Sequence, residues 1–219
     1  HQPTPGAVKL VGDAFLNAPV NSTRVHFDLG PNYAANPGDA SAYVITGDNA
    51  RGGEEILEAA CRDTAKVKCQ FPNYPGTVSW KAGFQTLRDA PVNADGTEMS
   101  AAAQNACESA NTCSRYRFDD VRENFFRYVL FGHYRGTPKS PFPCLDADGK
   151  PTDYNSSGQC AVSANGDFNI PRSSSGVADL PGGDALVTLG AWDHFVASDF
   201  IQASTMMHEF GHTFWRTHS

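Results

Sequence analysis

The stretch DALVTLGAWDHFVASDFIQASTMMHEFGHTF, residues 184–214, holds one strand and one helix, and their order decides the fold. DALVTLGAW (184–192), after a Gly/Pro-rich stretch and before the final helix, reads as a strand. Ser198 then offers a side-chain oxygen to a helix start, and Asp199 follows where the helix dipole favours negative charge. At about 100° per residue, Phe200, Ala203, Met207, Phe210 and Phe214 gather on one face, which should pack against the sheet.

His208 and His212 fall on the opposite side of that helix, about 40° apart and one turn along, so their imidazoles can converge on one ion. Glu209 lies beside them, within reach of a water on that ion. Two neutral imidazoles suit zinc and leave room for a third ligand and a water. His218 is the candidate third ligand, but an unbroken helix would carry it about 9 Å past His212 and onto the wrong face. It can ligate only if the helix breaks first. The spacing is that of HExxHxxGxxH, in which a glycine turns the chain back toward the metal. Trp215 stands at the glycine position, and a left-handed conformation there costs about 1–2 kcal/mol. The bland rival is a pair of surface histidines with a solvated Glu209.

On these residues, and on ADLPGGDALVTLG (178–190) leading into STMMHEFGHTF (204–214), the chain resembles the metzincin metalloproteases. The resemblance is specific over residues 178–218 and only architectural before them. It implies an α+β fold: a twisted, mostly parallel sheet whose antiparallel edge strand, here ADLPGGDALVTLG, binds extended substrate and feeds a long active-site helix. By it, His208, His212 and His218 would hold one catalytic zinc ion and Glu209 would be the general base of an endopeptidase that hydrolyses peptide bonds through a metal-activated water. Residues 1–219 would form one catalytic domain corresponding to the N-terminal subdomain. The C-terminal subdomain and its methionine turn would lie in a segment missing from this chain, because Met206 and Met207 sit inside the helix. The alternative is a catalytically silent, secreted metal-binding or interaction module related to such proteases.

The resemblance implies protein or peptide substrates as partners, and bulk properties exclude other classes. A net charge of −7 with no Lys/Arg cluster excludes nucleic acid and anionic membrane as main partners. No apolar run approaches the roughly 18 residues of a membrane span. The opening HQPTPGAVKL lacks a basic start and an apolar core, so a secreted form would be a processed one. Six cysteines fall into near-neighbour pairs, Cys61 with Cys69, Cys107 with Cys113 and Cys144 with Cys160, which suggests sequential disulfides and an oxidising, extracellular location. Sequons stand at Asn21 and Asn155.

Elsewhere the pattern predicts strands at 23–29, 76–87 and 126–134, the last apolar enough to lie centrally, and a helix over GGEEILEAACRD (52–63). Residues 136–181 are crowded with Gly, Pro, Ser, Asn and Asp and should form a long surface loop closed by a cysteine pair. Within it DADG (146–149) matches the first half of a calcium loop, but Ser157 stands where a bidentate Glu is required; an ordinary turn is the stronger reading and Ca2+ the weaker. His1 could chelate copper with its own amine and a second histidine, although a processing end explains it more simply. His26, His133 and His194 stand singly and read as structural or exposed, Trp80 and Trp192 as core. No GxSxG, P-loop or dinucleotide pattern occurs.

Overall fold

A computed structural model describes residues 1–19, 22–56, 80–138, 142, 144–164, 168–169, 174–192, 194 and 196–217. In chain order these form α1 (Pro5–Leu16), α2 (Gly30–Ala35), α3 (Trp80–Arg88), α4 (Ala101–Ala110) and β1 (Tyr128–Gly132). Short strands follow: β2 (Thr137–Pro138), β3 (Cys144–Leu145), β4 (Pro151–Thr152), β5 (Ser163–Ala164), β6 (Phe168–Asn169) and β7 (Gly176–Ala178). The chain then enters β8 (Asp184–Thr188) and α5 (Asp199–Thr213).

The core is built on a three-stranded mixed sheet ordered β1-β8-β7, with β8 parallel to β1 and antiparallel to β7. Side chains alternate across it. Leu130 and Leu186 face α3, packing with the fully buried Phe84 and with Trp80, Leu87 and Val177. Val129, Phe131 and Val187 face the other way, onto α1 and α5. Helices on both faces therefore keep β8 dry along its length, and each buried Leu, Val or Phe contributes about 1.5–3 kcal/mol. The α and β elements are mixed in a way compatible with the α+β expectation.

Several expected elements differ. Residues 80–88 are a helix, where alternation suggested a strand: Trp80, Phe84 and Leu87 recur at helical spacing and lay one stripe on the sheet. Residues 23–29 form only an isolated bridge, Phe27 to Val44, because no neighbouring strand extends the ladder among the described residues. Residues 126–134 do contain β1, but among the described residues it lies at an edge of the sheet. The central place belongs to β8, expected at the edge, and the antiparallel edge strand is β7. Of the helix expected over 52–63, residues 52–56 are irregular and the remainder lies outside the described residues.

The expected excursion at 136–181 carries β2 to β7. Strand β2 pairs with β6 and β3 lies between β4 and β5, with the Cys144–Cys160 disulfide across this region. A second disulfide, Cys107–Cys113, closes the end of α4, where Asn111 adopts a left-handed conformation. The Cys61/Cys69 pair and Asn21 lie outside the described residues.

Candidate metal centre

Helix α5 starts where expected, with the Ser198 hydroxyl accepting from the Ile201 N–H. A second helix, α1, fixes its position, although the sequence reading did not single out α1. Thr4 caps α1, donates its backbone N–H to Gln202 at 2.9 Å and its hydroxyl to Asp199 at 2.6 Å. The signal was available in the Thr4-Pro5 start and the Ala7, Val8, Val11 stripe.

This docking rotates α5 relative to the expected face. Gln202, Ala203, Thr205, Met206, Glu209, Phe210 and Thr213 are buried, whereas Phe200 is 73% exposed and Phe214 is also exposed. Burial between a helix and a sheet covers a wide stripe, and two of its polar members are hydrogen-bonded: Gln202 also donates to the Ala197 carbonyl and Thr213 to the Phe210 carbonyl. Glu209 is consequently only 3% exposed, not solvated as in the bland rival.

His208 is exposed and His212 half-buried, and their Nε2 atoms lie 3.1 Å apart. The rings meet nearly edge to face, with centroids 4.7 Å apart. His212 Nδ1 is 2.7 Å from the Arg216 carbonyl. A carbonyl only accepts, so Nδ1 donates to it, and Nε2 is the nitrogen turned toward His208. Two imidazoles bound tetrahedrally at the usual zinc–nitrogen length would hold their nitrogens about 3.3 Å apart. The observed 3.1 Å is a little shorter and is the distance of a hydrogen bond between the two rings, which an ion would replace.

The turn after α5 supplies the carbonyl. Trp215 N–H donates to His212 O at 3.0 Å and Arg216 N–H to Gly211 O at 2.9 Å, the paired bonds of a Schellman ending. Trp215 occupies the position that ordinarily favours glycine, with φ +68°. The sequence reading required the helix to break here, and it does. His218 itself lies outside the described residues, among which no group of three or more His, Cys, Asp or Glu has a metal-holding arrangement.

Burial pushes the Glu209 carboxyl up to about 7, against the opposing charges of His212 and Arg135. Burial likewise pulls the Arg135 guanidinium below its usual range, with Glu209 opposing. Arg135 gave no signal in the sequence. Gly176 of β7 touches Glu209 directly, since a Cβ there would fall 2.5 Å from Glu209 Oε1; a glycine opening an apolar strand was the available sign of close approach.

The remaining candidates fall elsewhere. Asp146 accepts from the Asp148 and Lys150 N–H groups, the bonds of an ordinary Asx turn. His1 packs its ring 5.3 Å from His133 and 6.1 Å from Phe131, so His133, read as standing singly, has a second histidine beside it. His26 and His194 are exposed, and Met206 is fully buried within α5. No family model, curated protein or solved structure matches the chain.

Proposed function

We propose that this chain is a zinc-dependent endopeptidase acting on protein or peptide substrates outside the cell. The observation that carries the reading is the convergence of His208 and His212 Nε2 at 3.1 Å, with His212 Nδ1 donating to the Arg216 carbonyl and a buried carboxylate at the intervening position. The expected third donor is His218, three residues along the sequence from the left-handed turn at Trp215. Zinc held there supplies Lewis acidity, acidifying a water and polarising a carbonyl.

The chain's own groups do the rest. The Arg216 carbonyl keeps the His212 Nε2 lone pair directed at the ion, as partners behind a ligand commonly do. Glu209 accepts a proton from the attacking water and returns it to the leaving amine; a carboxyl poised near neutrality can do both. Its burial keeps bulk water from competing for that proton. The disulfides and the lack, among the described residues, of a helix long and apolar enough to cross a membrane agree with an extracellular setting.

The test is cleavage of an unstructured peptide by the zinc-loaded chain, its Glu209→Ala variant and a chelator-treated sample. Cleavage should require both zinc and Glu209. Equal cleavage by the variant sinks the mechanism, and one bound zinc without any cleavage leaves the silent metal-binding module. Full zinc affinity in His218→Ala would remove that residue from the ligand set.

A further inference from the structure

Gly176 has no backbone reason to be glycine. Its φ lies outside the left-handed range, where any L-residue would be tolerated, and glycine within a strand weakens it. The reason lies across the sheet. Phe131, Val187 and Gly176 occupy one row through β1, β8 and β7, and Phe131 and Val187 belong to the apolar layer beneath α5. That row narrows from a phenyl ring through an isopropyl group to a hydrogen at the edge, and Glu209 fills the space so left. A Cβ on residue 176 would lie 2.5 Å from Glu209 Oε1 and 2.8 Å from both its Cδ and Cγ, closer than real contacts allow.

We propose that Gly176 is a positioning residue, which by bearing no side chain at the sheet edge seats the Glu209 carboxylate where it can serve as the base of hydrolysis. The catalytic half of this rests on the hydrolase reading above. When a methyl is added, the group that yields is the far end of the Glu209 side chain, because β7 is held by its ladder to β8. Gly176→Ala therefore displaces the base while leaving the His208/His212 pair in place. A displacement of order 1 Å in a catalytic group lowers turnover by about a hundredfold.

The experiment compares zinc-loaded wild-type chain with Gly176→Ala for zinc content, kcat and KM, and measures thermal midpoints of the metal-free single and double variants with Glu209→Ala. Zinc content and KM should hold while kcat falls about a hundredfold. Where Glu209 is absent, Gly176→Ala should raise the midpoint by about 1–4 °C, since the methyl enters vacated space and the unfolded chain loses freedom. Where Glu209 is present it should lower it. Equal midpoint shifts in the two backgrounds, or wild-type kcat in zinc-loaded Gly176→Ala, overturns the seat. Absence of hydrolysis by the zinc-loaded wild type overturns the hydrolase reading and the catalytic role with it, while the midpoints still decide whether Gly176 seats Glu209.

Discussion

Replacing Trp215 by glycine should make the protein more stable, although it deletes the largest side chain in the turn. Trp215 has φ +68°, where a residue with a Cβ bears about 1–2 kcal/mol of strain. Glycine relieves that strain but adds about 0.5–1 kcal/mol of unfolded-state entropy. The indole is 74% exposed, about what a side chain retains in a collapsed unfolded chain, so its removal forfeits little burial. The balance favours Trp215→Gly by about 0.5–1 kcal/mol, or about 1–4 °C for a chain of this size. Trp215→Ala is the control: it removes the same indole and keeps the Cβ, so it should gain nothing. Thermal and urea denaturation of the metal-free variants, with zinc affinity by competition, reads the effect. Equal stability of the Gly and Ala variants, or a destabilised Gly variant, would refute the argument that backbone strain dominates at this turn.

Three further outcomes follow from the geometry. Because burial holds the Glu209 carboxyl up at about 7, the folded metal-free chain keeps a proton that the unfolded chain releases near 4.5. Stability should therefore fall as pH rises from about 4.5 to about 7, and Glu209→Gln should flatten that part of the profile; an unchanged slope in the variant would contradict it. Zinc at about a hundredfold over its Kd should raise the thermal midpoint by about 5–10 °C, reversibly on chelation, and His212→Ala should abolish the shift. Asp184 is 1% exposed and accepts from Arg88 at 2.8 and 3.0 Å and from Lys81 at 2.8 Å. Asp184→Ala leaves two cations against the sheet and should cost about 3 kcal/mol in urea denaturation, whereas a loss under about 1 kcal/mol would mark the cluster as a solvated surface network.

What could be read from the sequence was what the chain decides locally. The start of α5 is set by Ser198 and Asp199 within one turn, and its end by the left-handed turn at Trp215, expected because His218 could ligate only if the helix broke. Both were legible. Its buried face was not, because Thr4, almost the whole chain away, holds Gln202 and Asp199 and thereby chooses which stripe turns inward. Misreading residues 80–88 has a similar origin: WKAGFQTL satisfies alternation as well as helical spacing, and only the packing of Phe84 between Leu130 and Leu186 selects the helix. The apolar character of β1 showed that it is a strand, but its place in the sheet depends on a crossover that composition does not specify.

The same division runs through the site. The i, i+4 spacing of His208 and His212 brings their Nε2 atoms together through helix geometry alone, so the pair could be foreseen. Glu209 could be singled out as the candidate base, but its close approach to Gly176 arises only through the folding of the sheet. The turn at Trp215 belongs to both levels. Its left-handed residue ends the helix, and the Arg216 carbonyl that follows fixes the proton on His212 Nδ1. A glycine would make the same two bonds with less strain. The tryptophan should therefore be felt in stability while the direction of the His212 lone pair, and hence the affinity for zinc, stays as the backbone sets it.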